Sequence, residues 1–269
     1  MDGYPLMIRE EGRGRPLLFL HALGASSRYW YGRLGSVPND YHCVMPDLLG
    51  FGRSPKPDVG YAVRDHLAAF RLTLDRLHLT DRPIVLIGHS LGAVLALEYA
   101  AMFPAEVCGV IGFGLPYYAN KAEAERYISD HGQWMARVTV RNGRVAHLTH
   151  MVLASLRPLI APVAARTTRG YPPEVAADSM RHTWASYSRT LDQCILSHNL
   201  MPTMDALTAL PILALHGTHD PSAPLAGVQT LASRMTNFQL QTLEGGHHLF
   251  FEQHATCLTA IQRYLRTVE

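Results

Sequence analysis

The chain has 269 residues, 48% hydrophobic and 17% charged, with 21 Gly and 17 Pro. This profile excludes disordered, collagenous and coiled-coil chains, and the length is enough to bury a substantial core. Lys and Arg total 24 against 22 Asp and Glu, and the net charge of +2 gives no footprint for nucleic acid or an anionic membrane, so neither is an expected partner; the 15 His are the compositional oddity.

Cys43, Cys108, Cys194 and Cys257 lie far apart without a C-x-x-C pair, so reduced thiols in a cytoplasmic protein are expected, not a zinc ribbon or redox motif. The N-terminus lacks the basic start and long apolar stretch of a secretory signal. The most apolar stretches, 84–97 and 107–119, are interrupted by Gly, His, Ser or Pro and are too short or too polar to span a bilayer.

In chain order, continuous apolar runs at 17–20, 42–45, 84–87, 107–113 and 212–215 predict buried strands. Runs without polar alternation imply strands covered on both faces, which is the pattern of an α/β fold with a parallel sheet between helices. Val63, Leu67, Phe70, Leu74 and Leu77 recur at spacings of three and four and predict an amphipathic helix over 61–78. A more buried helix is predicted over 91–102, stopped by Pro104, and a C-terminal one over 255–268. Between about Pro116 and Leu210 the pattern is helical only, with Tyr117, Tyr118, Tyr127, Trp134, Tyr171, Trp184 and Tyr187 among arginines and with Pro158, Pro162, Pro172 and Pro173 as punctuation. The expected organisation is a core of 1–115 and 211–269 interrupted by a helical insertion, 116–210.

The chemistry centres on Gly88-His89-Ser90-Leu91-Gly92, placed between a predicted strand and a predicted helix. A G-x-S-x-G match alone is moderately specific, but this context is the one in which a strained turn thrusts the serine hydroxyl out at the carboxyl end of a sheet. A serine needs a base and the base an orienting acid. Asp220 stands just after the strand at 212–215, and Glu244-Gly245-Gly246-His247-His248 precedes the last helix with Glu252 after it. The order Ser, acid, His is the one expected on such a fold.

These residues are similar to the α/β-hydrolase family along nearly the whole chain. The likeness rests on His21-Ala22-Leu23-Gly24, Asp47-Leu48-Leu49-Gly50-Phe51-Gly52-Arg53-Ser54, the Gly88–Gly92 elbow, His216-Gly217-Thr218-His219-Asp220, and Gly246-His247 with Glu252. The resemblance implies a mostly parallel sheet of about seven or eight strands flanked by helices, with an inserted helical cap. The stretch before Leu17 has room for one strand, so the family's first strand is expected to be missing. The resemblance makes Ser90 the nucleophile, Asp220 the orienting acid and His247 the base, and takes the oxyanion-hole donors from the backbone N–H groups of Leu23 and Leu91. Ala22 departs from the family's usual glycine, and alanine would be costly if that position required a positive φ.

His248 competes with His247, but the family's base directly follows the glycine and precedes a Glu by five residues, as His247 does. His219 is expected to be a loop residue, and the His89 side chain to pack away from the nucleophile. His147-x-x-His150 and His216-x-x-His219 have chelating spacings without a recognisable third ligand, so they are expected to be core or surface histidines. The cap arginines, including Arg126, Arg137, Arg141, Arg144, Arg166 and Arg181, fit a solvated helical face.

Together these features point to a serine hydrolase acting on a carboxylic ester, or a lactone, with an apolar or aromatic portion. No organic or metal cofactor is implied. The alternatives are a C–C bond hydrolase of vinylogous diketone acids, or a ligand receptor that keeps the fold. Serine at the nucleophile position argues against haloalkane dehalogenases and epoxide hydrolases, relatives that use Asp there. The sequence leaves the oligomeric state open.

Overall fold

The computed structural model describes residues 3–167, 172–179 and 181–268, the side chains of 157–167 excepted. Tyr171 and the side chains of Pro158, Pro162 and Arg166 therefore lie outside the described residues. Seven strands form one sheet in the order β1-β3-β2-β4-β5-β6-β7. They are β1 (Ile8–Glu11), β2 (Arg15–Leu20), β3 (Tyr41–Pro46), β4 (Ile84–His89), β5 (Val107–Phe113), β6 (Ile212–Gly217) and β7 (Phe238–Leu243). Only β1 runs antiparallel to its neighbour. One strand precedes β2, as expected from the short N-terminal stretch.

The five predicted strands are all present. The two others, β1 and β7, are the sheet's edges, and neither offers the apolar run that marks a strand covered on both faces: β1 reads Ile-Arg-Glu-Glu, and β7 reads Phe-Gln-Leu-Gln-Thr-Leu with a period of two.

Side chains alternate between two cores along each central strand. Leu18, Leu20, Val44, Leu86, Val110 and Ala214 face one layer, with α1 (Val63–Arg76) and α2 (Leu91–Met102). Leu17, Phe19, Met45, Ile87, Ile111 and Leu215 face the other, where α11 (His254–Leu265) packs through Cys257, Ile261 and Leu265. All four cysteines are free thiols.

No strand lies between β5 and β6 among the described residues. That stretch carries α3 (Lys121–His131), α4 (Trp134–Arg141), α5 (Gly143–Thr167), α6 (Pro173–Asp178), α7 (Trp184–Leu191) and α8 (Met201–Ala206). Between α7 and α8 one wide π-helical turn, Asp192–Leu196, is closed by Ser197 N–H donating to Asp192 O at 2.8 Å. The core resumes with α9 (Leu225–Arg234) and the short α10 (Leu249–Glu252). Polar contacts tie the helical segment to loops at the carboxyl ends of the strands. Ser26 Oγ donates to the buried Asp178 at 2.9 Å, Ser186 Oγ donates to Gly50 O at 2.9 Å, and Tyr127 Oη donates to Asp220 O at 2.7 Å.

The chain leaves β2 towards β3 on one side and returns to β4 on the other, so the strand order reverses between β2 and β4. A crevice opens at the carboxyl ends of the strands at such a point.

Candidate active site

Ser90 follows β4 with φ 54° and ψ −116°, a conformation that costs a non-glycine residue about 1–3 kcal/mol. Two glycines allow the turn. A Cβ on Gly88 would stand 2.3 Å from the Gly92 carbonyl carbon, and one on Gly92 would stand 2.3 Å from Leu20 O. Any side chain at either position would push α2 off the sheet. The strained residue is anchored by its own N–H, which donates to Phe113 O at 2.8 Å.

Ser90 and His247 both line a cavity of about 530 Å³. Its wall is mainly apolar, with Leu23, Ile128, Met135, Leu153, Leu191 and Ile195, and no Arg, Lys, Asp or Glu lines it among the described residues.

Asp220 lies in the turn after β6. Asp220 Oδ1 accepts the N–H groups of Ser222 and Ala223 at 2.8 and 2.9 Å, and Oδ2 lies 2.8 Å from His247 Nδ1. Burial alone would push the Asp220 carboxyl up, but the adjacent His247 and the backbone donors outweigh it and hold the group below the usual carboxylate value. An ionised carboxylate only accepts, so His247 Nδ1 carries the hydrogen of this bond, and Nε2 is the ring nitrogen left for chemistry on the other side.

Glu252 shapes the turn that presents His247. Its Oε2 accepts the Gly246 N–H at 2.6 Å, and a Cβ on Gly245 would stand 2.6 Å from that same oxygen. The Gly-His pair followed by Glu is therefore a packed turn with its own acceptor.

The neighbouring histidine stands differently. Gln133 Nε2 lies 2.9 Å from His248 Nε2, and because an amide nitrogen only donates, that ring nitrogen accepts. Burial, then the proximity of His247, pushes the His248 imidazole down to about 3.

His89, set on the far side of the turn from the Ser90 cavity, touches the loop that carries His247. Its Nε2 donates to His247 O at 2.7 Å, and its ring stacks on Tyr29 with centroids 4.7 Å apart. Burial keeps it neutral, well below the ordinary histidine value. Among the described residues His89 does not line the cavity that Ser90 and His247 share, so its link to the site runs through the His247 carbonyl. His89 is thus a residue of the site that only tertiary structure reveals.

His21 governs the loop after β2. Leu48 N–H donates to its Nε2 at 2.9 Å, so Nδ1 carries the hydrogen and donates to Ala22 O at 2.8 Å. The Ala22 carbonyl and the Leu23 N–H belong to one trans peptide and point in opposite directions. Holding the carbonyl therefore aims the N–H. The left-handed residue of this loop is Gly24, with φ 71°, not Ala22, so alanine carries no backbone penalty there. Leu91, the first residue of α2, presents its N–H at a helix N-terminus, where negative charge is favoured.

Asp47 braces this loop from behind by accepting the N–H groups of Ser27 at 2.6 Å and Arg53 at 2.7 Å. A Cβ on Gly52 would stand 2.3 Å from that carboxylate, which accounts for the glycine in the Asp47–Ser54 motif.

The histidines with chelating spacings are dispersed. His216 is buried, 3.0 Å from Ala223 O, while His219 is exposed. His147 stacks on Trp184, and His150 Nε2 lies 3.2 Å from His182 Nδ1 on the cavity wall.

A family model described as alpha/beta hydrolase fold matches residues 15–254. An uncharacterized protein of Mycobacterium tuberculosis is 26% identical over 100% of this chain and 80% of its own length. A haloalkane dehalogenase of Mesorhizobium japonicum is 36% identical over 110 residues, 41% of this chain and 35% of its own. Among solved structures, an esterase from Exiguobacterium antarcticum superposes with a TM-score of 0.76 at 18% identity, covering 98% of this chain and 97% of its own. With its sheet order, its serine elbow and a family match over most of its length, the chain belongs to the alpha/beta hydrolase fold family.

Proposed function

We propose that this protein is a serine hydrolase that cleaves a carboxylic ester, lactones included, with an apolar or aromatic portion, through an acyl-enzyme. The observation that carries the reading is the strained Ser90 opening into an apolar cavity that it shares with His247, whose Nδ1 is held by the buried Asp220. His247 Nε2 takes the Ser90 proton as Oγ attacks the ester carbonyl, and Asp220 stabilises the imidazolium that forms. The negative charge on the carbonyl oxygen is met by the N–H groups of Leu23 and Leu91. His247 then protonates the departing alcohol and activates the water that releases the acid. The helices between β5 and β6 serve as a cap that closes the cavity.

The lining, uncharged among the described residues, favours a neutral ester over the vinylogous diketone acids of the C–C hydrolases, whose carboxylate would need a cation. Serine at position 90 likewise separates the chain from Asp-dependent dehalogenases. The test is hydrolysis of short p-nitrophenyl esters: Ser90→Ala should abolish turnover and leave the circular dichroism unchanged, and substantial residual turnover would sink the assignment. A receptor that retains the fold would stall after about one cycle, whereas an enzyme would reach about 1 per second or more.

A further inference from the structure

The net charge of +2 conceals an uneven distribution. Between Asp130 and Glu174 the sequence has six Arg and no Asp or Glu; of these, Arg137, Arg141 and Arg144 have described side chains, Arg141 lying 4.0 Å from Asp130 and Arg144 being exposed beside Val145. In the same stretch α5 exposes Val145, Leu148, Met151, Val152 and Leu156, each between 43% and 65% accessible. Their spacings of three and four place them on one face of the helix, while Ala146 and His150 are buried on the other. Trp134, at the start of α4, is 57% exposed and also borders the cavity. Isolated exposed leucines need no explanation, but a continuous apolar stripe does.

The charge around the stripe indicates its occupant. A second copy docked face to face would set one cationic stretch against another. An anionic lipid surface satisfies both halves of the pattern, since apolar side chains enter the acyl boundary while guanidinium groups meet phosphates. No helix among the described residues is long and apolar enough to cross a membrane, so this mode of contact is lying on the surface, not spanning it. The same elements reach inward, because Trp134 on α4 and Leu153 on α5 line the cavity. An apolar molecule leaving the lipid would therefore meet the cavity wall on the elements that touch the bilayer.

We propose that the α4–α5 face docks on anionic lipid surfaces through the Val145–Leu156 stripe together with Arg141 and Arg144. The inference stands on this surface and not on the ester reading, and its test reads binding rather than turnover. The full chain is floated with vesicles of phosphatidylcholine alone or mixed with phosphatidylglycerol. It should float with the mixed vesicles and not the neutral ones, and less so as salt rises. Arg141→Gln and Arg144→Gln should each weaken partitioning about five-fold. Leu148→Glu with Val152→Glu should abolish flotation without lowering the melting temperature. Absence of flotation, or flotation unchanged in both sets of variants, overturns the proposal. So does a dimer that the Leu148→Glu, Val152→Glu variant dissociates, which would assign the face to a second copy.

Discussion

At the scale of single residues, adjacent histidines of the same chemistry have opposite surroundings. His247 has its Nδ1 on Asp220, whereas His248 has its Nε2 engaged by Gln133 and its basicity suppressed by burial. His247→Ala should therefore lower kcat on p-nitrophenyl esters by about 10³-fold or more, while His248→Asn should cost under about ten-fold, seen chiefly in KM. Equal losses in steady-state kinetics would contradict this division. The resemblance already favoured His247, because it directly follows a glycine and precedes a Glu by five residues, and in the structure that spacing is a packed turn closed on Glu252. It could not disclose His89, whose bond to the His247 carbonyl joins groups far apart in the chain.

At the scale of elements, the strands that carry the site were legible because central parallel strands are continuous apolar runs ending in glycine-rich turns. The edge strands β1 and β7 lack that signature, since an edge carries polar side chains that resemble those of loops. How the helices between β5 and β6 meet the core was also hidden, because it depends on single hydroxyls. Tyr127 on α3 crosses to the acid loop and donates to the Asp220 carbonyl, and Tyr118 just before α3 donates to the Ser222 carbonyl. Asp220 is thus positioned partly by a helix outside the sheet. Tyr127→Phe should lower kcat several-fold with little change in KM, and reduce stability by about 1 kcal/mol in urea titrations. A variant kinetically identical to the parent would show that the loop holds Asp220 unaided.

At the scale of the whole molecule, the histidine excess becomes a statement about pH. Burial lowers the imidazoles of His66 and His248 to about 3 and that of His182 to about 4, and holds His21, His89 and His216 below the ordinary value of 6.5. Below about 6.5 the unfolded chain binds protons that the fold refuses, so this stability is complete above that pH and declines as pH falls. The slope approaches about 1.4 kcal/mol per pH unit for each such histidine. Asp220, held below its unfolded value, adds a loss in the same direction at lower pH as its carboxylate protonates in the fold. The urea midpoint should therefore drop markedly between about pH 7.5 and about pH 5, with several protons taken up on unfolding. A flat midpoint across that range would show that these rings are already charged in the native state.

The π-helical turn at Asp192–Leu196 has a consequence for the cavity. A wide turn holds one residue more than an α-turn, and the residues on either side of it are offset by about 100° relative to a regular helix. Ile195, within that turn, is the part of this stretch that reaches the cavity wall. Deleting Gln193 should let the Ser197 N–H bond close as an ordinary turn and swing Ile195 off the wall, widening the space beside Ser90. The preferred acyl chain in an ester panel should then lengthen, so that one inserted residue acts as a spacer setting the depth of the pocket.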